Sequence, residues 1–262
     1  MNPKFIILAS EKDIAGKNIF KHIHELGGVN HYLIPEDSIY AENIDKKFPE
    51  GNFFIFATKH KSEQERKTFS IHAPGNFKKA ELGGKDNKVC KTSAFFLKHL
   101  FITLNQEAKD SDYECTLEVT HHGPYLEKPC CFIEIGSSEE QWEDEEAGKI
   151  IARTINKAIK TFTPNQKWKA AIGIGSPHYC PNFNKIQLNS ELAISHIIPN
   201  YTQITQGILE QAINKTEEKV ELAILDWKGM KGEERQESVK LLNQFGLKYK
   251  RTSEVKEEDG NN

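Results

Sequence analysis

Paired histidines follow one of the predicted strands. His121 and His122 stand between Thr120 and the dipeptide Gly123-Pro124. Neighbouring residues of a regular strand point to opposite faces, so both imidazoles can serve one site only if the chain leaves the strand there, and Gly-Pro is typical of such a departure. One ring could then bind a metal or act as a base while the other orients it. The alternative is that one of them is a core residue hydrogen-bonded to the backbone.

A lone carboxylate lies in an apolar strand. Glu134 belongs to the segment CCFIEIG, where an ionised side chain needs a cation, a metal or several hydrogen-bond donors. Ser138 and Gln141 have the spacing of a capping box, so residues 136–138 are predicted to open a helix. Free amides at that helix start could bind an anion or an oxyanion. The plainer interpretation is a well-capped helix without a ligand.

A third polar segment, GIGSPHY at residues 173–179, ends another apolar run. Gly173 and Gly175 permit close backbone approach, and His178 follows the turn. In open α/β sheets, ligands bind beyond the carboxyl ends of the strands. The polar segments therefore predict one shared pocket in which histidines and a carboxylate carry the chemistry.

Residues 59–98 form a basic stretch in a chain that is acidic overall. The stretch holds ten Lys and Arg against four acids, whereas the whole chain has 35 Lys and Arg against 38 Asp and Glu and a formal charge of -3. This local excess suits contact with a phosphate backbone. A solvated loop with surplus lysines is the competing interpretation.

Within the basic stretch, the segment HAPGNF combines an imidazole, a turn and an aromatic ring. Pro74-Gly75 favours a type II turn, which would display Asn76 and Phe77 directly before a pair of lysines. Such a group is typical of stacking a nucleobase while holding its phosphate. The alternative is a rigid surface turn with Phe77 packed in the core.

Composition and missing motifs exclude several classes of protein. The 262 residues are 37% hydrophobic and 10% aromatic, which provides enough apolar mass for a folded core and excludes disorder for the body of the chain. No stretch approaches the roughly 20 apolar residues of a membrane helix, so we expect a soluble, cytoplasmic protein. Five Cys without CxxC spacing indicate a reducing compartment. The signatures GxSxG, HExxH, GxxxxGK[ST] and GxGxxG are absent, which argues against serine hydrolases and nucleotide triphosphatases.

Apolar and amphipathic segments alternate along the chain. Strands are predicted at residues 4–9, 31–34, 53–57, 114–120, 131–135, 170–174, 193–198 and 220–225, and helices at 14–26, 92–108, 139–162, 204–213 and 233–245. This alternation predicts an α/β fold with a mostly parallel mixed sheet sandwiched by helices. We expect a single domain over residues 1–252, with an irregular basic loop inserted at about 59–91, and a polar tail at 253–262.

Several of these segments occur in a diagnostic order. KHKSE (59–63) and HAPGNF (72–77) are followed by EVTHHGPY (118–125), EIGSSEEQW (134–142) and GIGSPHYCPNF (173–183). Together they resemble the motifs of the archaeal and plant type of D-aminoacyl-tRNA deacylase, over nearly the whole chain. One position departs, because the turn of that family is usually Gly-Gly-Pro-His and Ser176 stands second here. Serine disfavours positive φ, which puts close backbone packing at this position in question.

The resemblance implies a zinc-dependent, monomeric, cytoplasmic enzyme with a fold related to peptidyl-tRNA hydrolases and nucleoside phosphorylases. It implies hydrolysis of the ester between a D-amino acid and the 3′-terminal ribose of tRNA, with tRNA as partner and neither DNA nor a membrane involved. The residues suit this reaction. An aminoacyl ester is already activated, so a positioned water, a base near neutral pH and oxyanion donors suffice.

On this basis we expect particular residues to form the site. The expected catalytic residues are His72, His122, Glu134 and His178, with His122 or His178 as the base. Substrate contacts are expected from Lys59, Asn76, Phe77, Lys78, Lys79, Gly136, Ser137, Gly175 and Ser176, with amides near the two glycines holding the oxyanion. The candidate zinc ligands are His121, His122 and His178, with Glu134 in addition or as a residue that orients a histidine.

Two other functions fit the same residues. One is a metal-dependent hydrolase or phosphorylase of small nucleosides, which would act without a tRNA body and without salt dependence from the basic stretch. The other is a non-catalytic tRNA-binding module, in which the histidines are structural.

Overall fold

The computed structural model describes residues 4–62 and 65–256. Glu63 of the KHKSE segment and residues 257–262 of the predicted tail lie outside the described residues. The strands are β1 (Phe5–Ser10), β2 (Asn30–Ile34), β3 (Phe53–Lys61), β4 (Thr68–His72), β5 (Gly75–Asn76), β6 (Lys88–Val89), β7 (Glu114–Leu117), β8 (Cys130–Ser137), β9 (Lys169–Ser176), β10 (Leu192–Pro199), β11 (Leu222–Leu225) and β12 (Lys248–Arg251). The α-helices are α1 (Ile14–Leu26), α2 (Ala94–Glu107), α3 (Glu139–Glu143), α4 (Glu145–Thr161), α5 (Pro181–Asn189), α6 (Gln206–Asn214) and α7 (Gly232–Gln244).

The strands form two large sheets and a small one. The first sheet has the order β2-β1-β3-β8-β4-β7 and is parallel except where β4 pairs antiparallel with β8. The second has the order β10-β9-β11-β12 and is parallel throughout, and β5 pairs with β6 apart from both. The predicted α/β class with mostly parallel strands is confirmed, but the single predicted sheet is replaced by two.

Helix α1 illustrates how local signals set the elements. Asp13 caps its start, because the side chain accepts from the amide of Gly16 at 2.9 Å. Ile19 and Ile23 are buried on one face, and Gly27 ends the helix at φ 61°, a conformation that glycine adopts without strain. The helix spans residues 14–26 as predicted.

Helices cover both sheets. One face of the first sheet packs against α1, α2 and α4, in a core that continues over the second sheet to α5. The other face of the second sheet packs against α6 and α7. The remaining face of the first sheet is covered by connecting segments, and there Phe54, Phe56 and Phe132 form an aromatic layer. The functional residues described below extend this layer.

Three predictions about elements are wrong. Residues 59–91 are not an irregular loop: β3 continues to Lys61, and β4, β5 and β6 follow, because β4 is buried between β8 and β7. The helix predicted at 139–162 is divided at Asp144, which caps a new helix by accepting from the amides of Glu146 and Ala147. Helix α5 and strand β12 were not predicted, and β12 is exposed along its length.

Among the described residues, no helix combines the length and the apolar character needed to cross a membrane.

Candidate active site

The aromatic layer of the first sheet becomes polar toward one end. Strand side chains alternate between faces, so Thr58 and His60 follow Phe56 on the same side of β3. Glu134 lies opposite Thr58 in the neighbouring strand β8, and Ser70 lies opposite Glu134 in β4. This face is continuous with the core, so its polar side chains are withdrawn from solvent.

Glu134 is surrounded by donors. Thr58 Oγ1 donates to its Oε1 at 2.7 Å, and Ser70 Oγ donates to its Oε2 at 3.4 Å. His60 Nδ1 and His72 Nε2 each lie 3.6 Å from Oε2. The requirement inferred for a carboxylate in the CCFIEIG strand is therefore met by two hydroxyls and two imidazoles.

The segment after β7 brings a second carboxylate and further histidines to the same place. Its backbone leaves the first sheet and bonds to the second: the amide of Val119 donates to the carbonyl of His178 at 3.1 Å, and that of Thr120 to Ile197 at 2.9 Å. Glu118 pairs with Tyr179 in an isolated bridge. The segment thus lies between the two sheets and places its side chains beside the end of β9.

Glu118 is the centre of this second group. His60 Nδ1 lies 3.1 Å from its Oε1, and His178 Nε2 lies 3.1 Å from its Oε2. His121 Nε2 is 3.5 Å from the same Oε2. Within the described part of the chain, neither carboxylate oxygen makes a hydrogen bond of good geometry. His178 is the accessible member, with 39% of its side chain exposed.

Three histidines share one pattern of hydrogen bonds. Nδ1 of His72, His121 and His122 lies 3.2, 2.8 and 2.6 Å from the carbonyl oxygens of Ala73, Val119 and Gly123 respectively. A carbonyl only accepts, so each Nδ1 carries a proton. The lowered pKa values of His121 and His122 keep these two rings neutral, with a lone pair on Nε2. Burial opposes protonation of His72, but Glu134 raises its pKa, so its Nε2 carries a proton directed at that carboxylate. One ligand nitrogen from each ring lies within 4.8 Å of the others. We call His72, His121 and His122 the histidine trio.

Burial and neighbouring charges shift the pKa values of the clustered carboxylates and histidines. Burial disfavours the charged forms, yet His60 and His72 hold the pKa of Glu134 well below its usual range. Burial likewise opposes protonation of His60, but the two carboxylates raise its pKa to about 9. Burial, together with the neighbouring histidines, lowers the pKa of His121 far below its ordinary value and lowers that of His122 to about 4.

Three ligand sets fit a metal. The histidine trio is the first, His60, Glu118 and His178 are the second, and His72, Glu118 and Glu134 are the third. Ligand histidines commonly donate their second ring nitrogen to a backbone carbonyl, as every member of the trio does. The predicted set of His121, His122 and His178 is divided between the first two sets, with His72 in place of His178 beside the other two.

His122 is held in an unusual conformation. Its φ is 43°, in the left-handed region that residues other than glycine rarely adopt and that is often found at functional sites. The strand ends already at Leu117, and the turn that was predicted from Gly123-Pro124 begins at His122. The amide of Gly75 donates to the carbonyl of His122 at 2.7 Å, which fixes this conformation.

The structure contradicts the predicted role of Phe77. The ring is 5% exposed and packs in the core of the second sheet, so it offers no stacking surface. Asn76 is turned inward as well, and its Nδ2 donates to the carbonyl of Gly83 at 2.9 Å. The reason is that Gly75 and Asn76 pair with β6 instead of forming a displayed turn.

The loop that follows Phe77 retains its basic character. We call residues 78–88 the lysine loop. Lys78 and Lys79 are exposed, and Lys78 Nζ donates to the carbonyl of Tyr201 at 2.6 Å. Lys59 is half-buried with Nζ 5.5 Å from the ring centre of Trp142. Lys98, counted in the basic stretch, is buried and bonds to the carbonyls that end α5, so it lies on no surface.

The predicted amide donors are engaged elsewhere. The amides of Ser137 and Ser138 donate to Gln141 Oε1 at 3.4 and 3.0 Å, so the plainer interpretation of a capped helix holds, and Gly136 lies within β8. Gly175, at φ 92°, packs against Met230, where a Cβ would lie 2.3 Å from Met230 Cγ. Positive φ falls on Gly175 and not on Ser176, so the serine is accommodated.

His60 and Glu118 were not predicted as site residues. Both had a signal in the sequence: His60 lies three residues past the FFIFA run, on the same side of an extended strand as Phe54 and Phe56, and Glu118 is an acid inside the alternating TLEVT segment. The prediction ended the first strand at Ala57, and it placed Glu118 in a strand at 114–120 without assigning it to the site.

A large groove on this protein lies away from the histidine and carboxylate cluster. A groove of about 1090 Å³ lies at the amino ends of the second sheet, between Leu192, Leu222 and Lys248. It is remote from the histidines, and ligands of parallel sheets bind at the opposite ends of the strands. The chemistry-bearing residues therefore locate the site better than cavity size does.

Known proteins similar to this chain are named as D-aminoacyl-tRNA deacylases. The family described as D-aminoacyl-tRNA deacylase matches residues 48–250. A D-aminoacyl-tRNA deacylase of Pyrococcus abyssi is 39% identical over 221 residues, covering 82% of this chain and 80% of that protein. The one of Methanocaldococcus jannaschii is 33% identical over 259 residues, covering 95% and 99%. A crystal structure of a conserved protein of unknown function superposes with a TM-score of 0.89 at 29% identity, covering 97% of both chains.

Proposed function

This chain belongs to the D-aminoacyl-tRNA deacylase family, and from that membership and the geometry of the site we propose that it hydrolyses the ester joining a D-amino acid to the terminal ribose of tRNA. The observation that carries the proposal is the pairing of an accessible imidazole with a buried carboxylate, His178 Nε2 to Glu118 Oε2 at 3.1 Å. Neither a nucleoside-cleaving enzyme nor a non-catalytic module is favoured, because the relatives are named as deacylases.

The reaction needs a base and a donor for the tetrahedral oxyanion. His178 Nε2 faces Glu118, so Nδ1 is the nitrogen that can take a proton from water, and Glu118 stabilises the resulting imidazolium. His60 Nε2 is buried and has no hydrogen-bond partner in the described part of the chain. Because the two carboxylates raise the pKa of His60 to about 9, this ring is protonated at neutral pH and suits the oxyanion.

We further propose that the histidine trio holds zinc. Its support is that one ring nitrogen of each of the three histidines lies within 4.8 Å of the others, while Nδ1 of each is bonded to a backbone carbonyl, as is common in ligand histidines. His72 would bind the ion after losing its Nε2 proton. Bound there, zinc would polarise the ester carbonyl and lower the pKa of a water molecule. Glu134, whose Oε2 lies 3.6 Å from His72 Nε2, would balance part of the charge of the ion.

Deacylation of matched substrates tests the function. The protein is incubated with D-Tyr-tRNA and L-Tyr-tRNA, and release of tyrosine is followed. We expect hydrolysis of the D-substrate, and loss of about 100-fold or more in kcat for His178→Ala, because general base catalysis is removed. His24→Ala, which changes an exposed histidine on α1, is the control. Equal inertness toward both substrates would exclude the proposal.

Metal analysis tests the zinc site. Protein purified without a His-tag is analysed for bound metal before and after chelation, and Co²⁺ is added to the chelated protein as a spectroscopic probe. We expect His72→Ala to lose the d–d absorption of the bound Co²⁺, while His178→Ala retains it. A retained spectrum in His72→Ala would place the metal among His60, Glu118 and His178 instead.

We also propose that the chain acts as a cytoplasmic monomer. Its support is that one chain provides both carboxylates and all histidines of the site. Sedimentation equilibrium of the active protein should give a mass near 29.9 kDa, and a dimer mass would contradict it.

A further inference from the structure

An exposed leucine of the lysine loop lies beside an exposed aromatic ring. Tyr40 is 52% exposed and Leu82 is 54% exposed. They are neighbours in space, because Gly83 follows Leu82 and a Cβ placed on Gly83 would lie 3.2 Å from Tyr40 Cδ1. Large apolar side chains this exposed and this close together offer a platform to a flat ligand.

The platform is attached to the active site. The amide of Gly123 donates to the carbonyl of Leu82 at 2.8 Å, and Gly123 directly follows His122 of the histidine trio. The backbones are in close contact, since a Cβ on Gly123 would lie 2.2 Å from the nitrogen of Gly84 and 2.5 Å from the carbonyl oxygen of Ile39. Tyr40 and Leu82 therefore keep a fixed position relative to the hydrolysing groups.

Further hydrogen bonds hold the attachment in place. Glu42 accepts from the amide of Gly84 at 2.6 Å through one oxygen and from the amide of Tyr125 at 3.0 Å through the other. Asn76 Nδ2 donates to the carbonyl of Gly83. These bonds are made by backbone groups of Gly83, Gly84 and Tyr125, and the side chains of Tyr40 and Leu82 take no part in them.

The surroundings of the platform are positively charged. The lysine loop carries four exposed lysines, at 78, 79, 85 and 88, against two exposed acids, Glu81 and Asp86, and Lys85 Nζ lies 4.3 Å from the ring centre of Tyr125. A ligand that binds both the exposed apolar side chains and the lysines has a flat π-face with a phosphate next to it. The single-stranded end of a nucleic acid is bound in this way, by aromatic stacking beside basic groups.

We propose that Tyr40 and Leu82 bind the terminal nucleobase of the tRNA, the one whose ribose carries the ester. This inference rests on the proposed function. The base belongs to the same nucleotide as the scissile ester, so it must lie within one nucleotide of His178 and the histidine trio. The exposed ring of Tyr40 stacks on the base, the side chain of Leu82 covers its edge, and Lys79 meets the adjoining phosphate.

A tRNA with 2-aminopurine in place of the terminal adenine tests the platform, because stacking quenches the fluorescence of this base. We expect the wild-type protein to quench it, Tyr40→Ala to lose the quench, and Tyr40→Phe to retain it. In kinetics with D-Tyr-tRNA, Tyr40→Ala should raise KM about tenfold with little change in kcat. Leu82→Ser is a second variant, and it should give a smaller rise in KM with the thermal midpoint unchanged.

Tyr249→Ala is the matched control, because Tyr249 is also an exposed tyrosine between lysines, on strand β12. It should leave the quench and KM unchanged. Wild-type quench and KM in both Tyr40→Ala and Leu82→Ser would overturn the inference. A wild-type protein that leaves D-Tyr-tRNA intact would instead overturn the proposed function, so the two failures are distinct.

Discussion

At the scale of single residues, the site depends on buried carboxylates that stay ionised. Glu118 and Glu134 are both withdrawn from water, and among residues 4–62 and 65–256 their ion-pair partners are imidazoles. Burial of such a charge is unfavourable unless a partner compensates it. The histidines therefore do more than catalyse, because they make the ionised carboxylates possible, and removing either kind of group disturbs the other.

For Glu134→Gln we expect kcat to fall about 100-fold, while the fold is retained. The amide keeps the hydrogen bond from Thr58 Oγ1, but it removes the negative charge beside His60 and His72. Turnover of D-Tyr-tRNA and the circular dichroism spectrum measure the two effects. Glu114→Gln, which changes an exposed carboxylate on β7, is the control. Wild-type turnover would give Glu134 a purely structural role.

His196 should make stability depend on pH. It is buried, and burial lowers its pKa from 6.5 to about 4. Its Nε2 lies 3.3 Å from the carbonyl oxygen of Lys215, and Thr120 Oγ1 lies 3.2 Å from Nδ1, so the folded state holds the neutral ring. Between pH 6.5 and about 4, His196 is therefore protonated in the unfolded chain and neutral in the folded chain. The stabilisation is therefore complete above pH 6.5 and is lost as pH falls toward 4.

The measurement is the free energy of unfolding by urea between pH 7 and pH 4.5. We expect the wild-type curve to fall more steeply than that of His196→Gln, by up to about 1.4 kcal/mol per pH unit. Parallel curves would show that His196 does not titrate differently in the two states.

At the scale of elements, strand alternation and one strained segment assemble the site. Period two places Thr58 and His60 on one side of β3, and cross-strand neighbours in β8 and β4 add Glu134 and Ser70. The segment that carries the histidine trio is irregular, and it is supported from outside by the lysine loop at Gly123. A change in the backbone of the lysine loop should therefore displace the segment that carries His121 and His122.

Gly83→Ala should weaken that support. Gly83 has φ +68°, and a Cβ there would lie 1.8 Å from the carbonyl oxygen of Ile39. We expect a loss of about 1–3 kcal/mol in the free energy of unfolding, and slower turnover because the contact next to His122 is displaced. Gly207→Ala in α6 is the matched control, since nothing lies within 4 Å of its Cβ. That variant should be equally or more stable. Equal stability of both variants would contradict the coupling.

At the scale of the whole molecule, charge is unevenly distributed. The chain has a formal charge of -3, yet the lysine loop presents a basic surface next to the site. Lys78 also joins that loop to the second sheet through the carbonyl of Tyr201. An acidic protein that binds a polyanion needs such a local surface, because net charge alone would repel the substrate.

Replacing Lys78 and Lys79 together by Ala should weaken binding of different tRNAs to a similar degree. It should also lower the slope of log affinity against log salt by about 1–2, since fewer counterions are released. Fluorescence anisotropy between 50 and 200 mM salt, roughly the range in which such slopes are measured, gives both quantities. The double variant Lys248→Ala, Lys250→Ala removes the same charge from β12 and is the control. An unchanged slope in the first variant would exclude a phosphate contact there.

Local signals in the sequence determined a good part of this protein. The bounds of α1 follow from Asp13 and Gly27, and the α/β class follows from the alternation of apolar runs. Glu134 was recognisable because a carboxylate in an apolar strand needs partners. These inferences succeed because caps, periodicity and burial depend on residues close together in the chain.

Only the tertiary structure decided which of these groups meet. His60 and Glu134 are far apart in sequence, and they become neighbours because β3 pairs with β8. The antiparallel insertion of β4 brings His72 into the site, and the pairing of β5 with β6 goes with the burial of Phe77. Strand pairing is chosen by the packing of the whole core, so no local pattern could have assigned the partners of Glu134 or divided the histidines between two groups.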